Sequence, residues 1–182
     1  SVFGYALQAE RKRGAVLRRV SLAGSDPRSW HNVHGVFRTP REGQAMLREL
    51  ARLYNFCLRR LGLEADGRGA CAAYRQHNCA GACVGKESPE QHDARLAAAL
   101  AGIGVKAWPW PGAVVVEEHS EHADRRVWHV IDHWCHLGSV HDEAALQALL
   151  AGLPQPAFDL DLYRLLQRWL SQPALQIGRA HV

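Results

Sequence analysis

Residues 71–85 read CAAYRQHNCAGACVG, and the fold turns on how the three cysteines in this stretch are taken. As packed thiols they would be small hydrophobes of a core. As ligands they would make the stretch a loop closed on a metal. Cys71, Cys79 and Cys83 lie in polar, glycine-bearing text and not on an apolar stripe, which favours ligands. Cys57 completes a set spaced Cys57-x13-Cys71-x7-Cys79-x3-Cys83. Four thiolates fill a tetrahedral zinc ion or supply all the protein ligands of an iron–sulfur cluster, and the spacing does not separate the two. Ala80, Gly81 and Ala82 are small enough to let the chain curl between the last two sulfurs. Arg59, Arg60, Arg68, Arg75 and Lys86 nearby would offset thiolate charge. The fifth cysteine, Cys135, stands between Trp134 and His136 in strand-like text and reads as a packed thiol.

Outward from the cysteines, the pattern predicts helices on both sides. Thr39-Pro40-Arg41-Glu42 supplies an N-cap, a proline at the first helical position and a capping-box glutamate. Met46, Leu50, Leu53 and Cys57 then recur at helical spacing, which puts Cys57 at the inner, C-terminal end of that helix. Ser88-Pro89-Glu90-Gln91 repeats the start signal, and Leu96, Leu100 and Ile103 give the next helix an apolar face before Gly102 and Gly104 end it. GLEADGRGA (62–70) is a turn-rich loop. Upstream, 2–8 and 15–22 read as a hairpin around AERKRG, and VHGVF (33–37) as a third strand. Downstream, WPWPG (108–112) is a rigid, extended boundary. AVVVEE (113–118) and RVWHVIDHWC (126–135) read as a strand pair. Helices follow near 142–152 and 158–171, the latter with Phe158, Leu162, Leu165, Leu166 and Trp169 on its apolar face and Asp159 as its cap. The expected fold class is α+β: an N-terminal β hairpin with further strands, a four-cysteine metal site between two helices, then a C-terminal strand pair plus two helices. The expected regions are 1–104, 105–177 and a tail at 178–182.

Composition excludes some classes of protein. With 182 residues, 47% hydrophobic and 22% charged, the chain has globular and not disordered composition. No apolar run approaches the roughly 20 residues that span a bilayer. An odd cysteine count with no secretory signal points to a reducing, cytoplasmic setting, where clustered thiols hold metal more often than they form disulfides. The chain opens at Ser1 and its one methionine is Met46, which reads as a fragment. IGRAHV (177–182) matches what ATC-GGA-AGA-GCA-CAC-GTC, a sequencing-library adapter, would encode; Gly178, Arg179 and His181 are therefore given no functional weight. The net charge of +4 is uneven: residues 1–60 carry twelve Lys/Arg against four Asp/Glu, a balance of +8, and the rest is −4. Such a face suits phosphates, and Arg11, Lys12, Arg13, Arg18, Arg19, Arg59, Arg60 and Arg75 are the candidate DNA contacts. A solvated basic face is the plainer reading of charge alone.

Three further sets of residues are chemically able. Glu117, Glu118, His119 and His122 would make a metal site, as would Asp132 with His129, His133 and His136. Against this, the period of two in VWHVIDHWC reads as a half-buried strand with histidines on one face. Asp159 and Asp161 suit a divalent metal but fit a helix cap better. Trp108, Trp110 and Trp128 are able to stack bases, with packing at the WPWPG corner as the default.

GVFRTPREGQAMLRELARLYNFCLRRLG, followed by CAAYRQHNCAGACVGKESPEQHDARLAAAL, resembles the cysteine-bearing region of the UvrC excinuclease family. Cys71, Tyr74, Cys79, Cys83, Val84 and Gly85 stand in that family's places, and the resemblance covers about residues 33–104. WPWPG, WHVIDHWCHLGSV and FDLDLYRLLQRWL are similar to the C-terminal segment of Cho-type endonucleases. They are closest to the bacterial branch in which a proofreading-type exonuclease domain precedes a GIY-YIG nuclease domain. The resemblance implies incision of one DNA strand beside damage, and a 4Fe-4S cluster on the four cysteines. Neither GIY nor YIG occurs here, and no residue matches the catalytic arginine, glutamate or asparagine of that nuclease. The expectation is therefore a catalytically inert, DNA-facing, metal-bearing module (iron–sulfur, alternatively zinc) of a repair endonuclease, beside an upstream nuclease domain of the same polypeptide. Two other classes compete with it: a stand-alone zinc-binding protein-interaction domain, and a hydrolase built on the histidines and Asp132.

Overall fold

A computed structural model describes residues 1–120, 125–172 and 176–179. The chain forms two compact units. The first comprises Ser1–Ser21 and His31–Val105; the second comprises Leu22–Trp30 and the residues from Lys106 on. Composition alone leaves 22–30 with the first region. Their bonds put them with the second: Gly24 N–H donates to the Phe158 carbonyl, Phe158 N–H donates to the Ser25 carbonyl, and Trp30 packs edge-on against Phe158 at 4.7 Å.

In the first unit, β1 (Phe3–Glu10) and β2 (Gly14–Ser21) form the predicted hairpin, and β3 (Val33–Phe37) adds antiparallel to β1 in the order β2-β1-β3. Helix α1 (Pro40–Tyr54) starts where its signals predict, with Thr39 Oγ1 accepting the Glu42 N–H. The Glu42 carboxylate reaches one residue farther back than in the usual capping box, to the Arg38 N–H at 2.9 Å. The buried face of α1 differs from the predicted stripe. Gly43, Leu47, Leu50 and Ala51 face inward, whereas Leu53 is 54% exposed. The reason is a close approach to the sheet: a Cβ at Gly43 would stand 2.6 Å from the Tyr5 hydroxyl and 2.7 Å from Phe3. Glycine permits this approach, and Leu47 and Ala51 turn inward beside Leu50 while Met46 keeps a partly buried place against the core. Phe3, Tyr5, Phe37 and Leu47 form one part of the core; Leu50, Ala51, Phe56, Leu61, Leu96 and Leu100 form the other. The last two come from α3 (Pro89–Ala101), whose capping box between Ser88 and Gln91 is complete.

In the second unit β4 (Val114–Ser120), β5 (Arg125–Asp132), β6 (Cys135–Val140) and β7 (Gln176–Arg179) form one antiparallel sheet in the order β6-β5-β4-β7. The predicted strand pair is thus part of four strands, and the predicted single strand 126–135 is two. The break is a two-residue reversal at His133 and Trp134, whose φ angles are 45° and 66°. It carries none of the Asn-Gly chemistry that normally marks such a turn, so it reads as continuous strand. Trp134 settles the matter through packing: its ring is buried and its Nε1–H donates to the Lys106 carbonyl at 2.8 Å. Trp108 and Trp110 of the WPWPG corner pack edge-to-face at 4.9 Å, and Trp108 meets Trp134 at 5.1 Å, as the packing reading expects. Helix α4 (Glu143–Ala151) covers Ala113, Val130, Cys135 and Leu137. Helix α5 (Leu160–Leu170) starts at an Asp159 cap and buries Leu160, Tyr163 and Leu166. β7 enters the segment expected to be a non-native tail: Gly178 pairs with Val115 and Arg179 with Val114. Residues 180–182 of that segment lie outside the described residues.

Candidate metal centre

Asn55 ends α1 by taking a left-handed conformation (φ 57°), which asparagine tolerates better than most residues. The reversal drives Phe56 into the core beneath Leu96 and Leu100 and leaves Cys57 fully buried, three residues beyond the helix rather than on it. The Cys57 N–H donates to Nε2 of His92, a fully buried histidine of α3, at 3.0 Å. Burial pushes the His92 pKa down to about 4, so the ring is neutral and can accept this bond. Sequence reasoning missed His92. Its place on the inner face of α3, one turn before Leu96, was the available signal.

In the loop from Cys57 to Cys71 the first carbonyls accept backbone N–H groups of Leu61, Gly62 and Leu63, and Arg59 takes those of the second half. Its guanidinium donates to the carbonyls of Gly67 (3.0 Å), Gly69 (2.6 Å) and Ala70 (3.2 Å). Glu64, 3.9 Å from Arg59, accepts the Ala72 N–H at 3.1 Å. Cys71 is then delivered as the N-cap of the one-turn helix α2 (Ala72–Arg75), its sulfur standing where serine usually stands and accepting the Tyr74 N–H at 3.4 Å. Beyond α2, Ala80 N–H returns to the Asn55 carbonyl at 2.9 Å. Gly81, at φ 101°, makes the tight curl expected of the small residues; a Cβ there would lie 2.7 Å from Lys86 Cβ. Its N–H donates to Cys79 Sγ at 3.3 Å, and Cys71 N–H donates to Cys83 Sγ at 3.4 Å.

The four sulfurs all lie within 4.8 Å of one another, and they are the one such group of His, Cys, Asp and Glu donors among the described residues. Desolvation raises the pKa of Cys57 and pushes that of Cys79 up to about 12. Cys71 is also penalised by burial, but backbone N–H groups of Tyr74 and Leu58 outweigh it and bring its thiol below the ordinary value. Backbone donors aimed at three sulfurs stabilise anionic sulfur, which is the form that binds metal. The donor set therefore fits a metal held by four thiolates, as a zinc ion or an iron–sulfur cluster is.

The candidate DNA contacts divide. Arg11, Lys12 and Arg13 form the exposed turn between β1 and β2, with Arg13 paired to Asp66 at 2.8 Å. Arg18 pairs with Glu10, and Arg19 lies over the Phe3 ring at 5.7 Å; both are exposed on β2. Arg75 is exposed at the end of α2. Arg59 and Arg60 face inward. Arg59 holds the loop as described. Arg60 donates to the Arg13 carbonyl at 2.7 Å and to Asp93 at 2.6 Å, locking the hairpin turn to α3, and the same Asp93 carboxylate accepts the Ala15 N–H.

The histidine candidates also divide. His129 and His136 converge with Ser139 and Glu118, whereas His133 bonds its neighbour Asp132 at 2.6 Å and stacks on Trp108. Glu117 pairs with Arg126, His119 is exposed on β4, and His122 lies outside the described residues. Asp159 Oδ1 caps α5 through the Leu162 N–H, and Asp161 is an exposed residue of its first turn.

Two family models match the chain: the UvrC/Cho excinuclease middle domain over residues 6–102, and the excinuclease Cho C-terminal domain over residues 113–181. Among curated proteins, Excinuclease cho of Salmonella typhi is 37% identical over 153 residues, covering 82% of this chain and 50% of that protein. Excinuclease cho of Escherichia coli K12 is 38% identical over 137 residues, covering 74% and 45%. The chain spans about half the length of the curated relatives it matches. No solved structure matches it.

Proposed function

Because the chain belongs to the UvrC/Cho excinuclease family, we propose that it is the metal-bearing, DNA-contacting part of a DNA-incising repair endonuclease and makes no incision itself. The observation that supports this most directly is the sulfur cluster, four thiols within 4.8 Å of one another. Cys57, Cys71, Cys79 and Cys83 would hold the metal, which supplies a cross-link between the end of α1 and the loop before α3. Four protein thiolates leave no position at which a metal activates water, so the centre is structural or redox-responsive and not hydrolytic. Incision would belong to a GIY-YIG nuclease domain of the same polypeptide.

Two occupants compete for the thiolates. The family resemblance favours a 4Fe-4S cluster. The sulfur spacing favours a single ion, because sulfurs 2.3 Å from one tetrahedral zinc stand about 3.8 Å apart, whereas a cluster holds its cysteines wider. Phosphate contacts are assigned to Arg11, Lys12, Arg13, Arg18, Arg19 and Arg75, with Arg59 and Arg60 supporting the surface from beneath. No described helix is long and apolar enough to cross a membrane, and the setting proposed is cytoplasmic.

Anaerobic purification followed by iron, sulfide and zinc assays, with a Cys79→Ser/Cys83→Ser variant beside the parent, tests the centre. Matched iron and sulfide, or one zinc per chain, lost in the variant, supports it; a metal-free chain that is stable overturns it. DNA binding that weakens steeply with salt and produces no cleavage supports the remainder. Indifference to DNA together with stoichiometric zinc would instead favour a zinc-binding protein-interaction domain. Turnover by the purified chain would overturn the inert reading.

A further inference from the structure

The sheet of the second unit carries another convergence of metal-type donors. His129 on β5 pairs in register with Ser139 on β6. His136 lies three residues from Ser139, so in a regular strand the two would point to opposite faces. A bulge changes this. The register slips between Val130 and Ile131, so that His136 pairs with Ile131 and comes round to the face of His129. Three donor atoms then form a triangle: His129 Nδ1 is 3.3 Å from His136 Nε2, and Ser139 Oγ is 2.7 Å from the first and 2.8 Å from the second. The far nitrogen of His129, Nε2, stands 2.9 Å from Glu118 Oε2 on β4.

We propose that His129 Nδ1 and His136 Nε2 bind a divalent cation of the zinc class (Zn²⁺, Co²⁺ or Ni²⁺), with Glu118 orienting His129 and the Ser139 hydroxyl marking the place of a third ligand or a metal-bound water. Two imidazole nitrogens on one tetrahedral zinc, each ~2.0–2.1 Å from the ion, stand about 3.3 Å apart. That is the separation found here. Metal-bound histidines typically donate their other ring N–H to a carboxylate, which fixes the tautomer; Glu118 at Nε2 does this and leaves the Nδ1 lone pair facing His136. The triangle opens on a groove of about 670 Å³ whose opposite wall is Leu162, Leu165 and Trp169 of α5. An ion held by two imidazoles would keep positions free on that side for an oxygen or nitrogen ligand from solution, unlike the closed thiolate centre.

The test is a Co²⁺ titration of the whole chain, with its cysteine-site metal assayed beforehand and afterwards. One further equivalent is expected, showing the weak visible bands of nitrogen and oxygen ligation without sulfur charge transfer. His129→Gln and His136→Gln should each weaken it at least tenfold, and Glu118→Gln by about 10–100-fold, while the cysteine-site content stays unchanged. Ser139→Ala keeps both rings and should bind within a few-fold of the parent. Circular dichroism verifies each fold, so a misfolded variant at one position leaves the other two histidine and carboxylate variants to decide. Failure to take up a further equivalent at submillimolar Co²⁺, or uptake of equal affinity in His136→Gln, overturns the site.

Discussion

Residues 55–88 of the first unit and residues 114–140 of the second both bury cysteine, and they do it by opposite means. Cys135 sits in a strand whose backbone is satisfied by its neighbours, among Ala113, Val130 and Leu137; burial pushes its thiol up to about 11, and its sulfur contributes volume. Residues 55–88 hold only one turn of α-helix and one of 3-10 helix. Part of their backbone closes short turns, such as Leu61 N–H to the Cys57 carbonyl and Ala80 N–H to the Asn55 carbonyl. Another part goes to side chains: N–H groups to three sulfurs and to His92, and the carbonyls of Gly67, Gly69 and Ala70 to Arg59. Where no ladder exists, buried polar backbone must find other partners or cost folding energy. The sulfurs of the first unit therefore accept the N–H groups of Cys71, Tyr74 and Gly81 at places where the sheet of the second uses strand neighbours.

Removing the sulfur centre should separate the two units most widely. Cys57→Ser or Cys71→Ser, or metal removal by a strong chelator, is expected to cost the first unit several kcal/mol, since binding energy at such sites is folding energy. That corresponds to a fall on the order of 10–20 °C in its melting temperature. Cys135→Ser should shift the second unit by only a few degrees. Hydrogen exchange resolved along the chain reads both, and equal losses would break the contrast. Phe56→Ala comes next. This ring is fully buried under α3, and truncation should cost about 3–5 kcal/mol while loosening Cys57 beside it. Denaturant unfolding together with metal retention checks the pair of effects.

His92→Ala should be milder, about 1–3 kcal/mol, because it orphans the buried Cys57 N–H without removing a ligand. Its diagnostic readout is the rate of metal loss to a chelator, which should rise, whereas a purely packing role would leave that rate unchanged.

What could be read beforehand follows the same division. Caps, hairpin and cysteine spacing are local signals: Thr39, Ser88 and Asp159 cap as predicted, and the four cysteines meet. Signals that depend on packing were not legible. Gly43 lets α1 approach Tyr5 and Phe3, residues about forty positions away. Arg59 and Arg60 look like surface charge until the carbonyls and Asp93 that claim them are placed nearby. His136 reaches His129 only through a bulge, whose one mark in the sequence is Gly138 inside the strand. The His133–Trp134 reversal was invisible for a related reason: tertiary packing of Trp134, not turn propensity, imposes it.

That last point yields a small effect of opposite sign. His133 holds a φ of 45°, which asparagine adopts at lower cost. His133→Asn should therefore stabilise the second unit, by up to about 1 kcal/mol, less whatever the bond to Asp132 and the stacking on Trp108 contribute. A drop in stability on thermal melting would show that those contacts, not the turn, fix the strand break.

The smallest expected difference is electrostatic. Glu87, just before α3, is bonded at both oxygens by Arg95 (2.7 and 2.9 Å), and this holds its carboxyl below the ordinary value of 4.5. A carboxylate whose folded pKa is depressed stabilises the fold fully above its unfolded value and loses that contribution as pH falls through the folded one. Arg95 is partly exposed, so solvent screening limits the effect to at most about 1 kcal/mol. The first unit should accordingly lose stability on acidification below about pH 4.5 more steeply than its Glu87→Gln variant, as read by melting temperature against pH. Because Arg95 also donates to the Tyr54 carbonyl at the end of α1 and lies over the Phe56 ring, the pair ties the helix that precedes the cysteines to the one that follows them. An identical acid slope in parent and variant would mean that this pair adds nothing to the core of Leu50, Phe56, Leu96 and Leu100 that already joins those two helices.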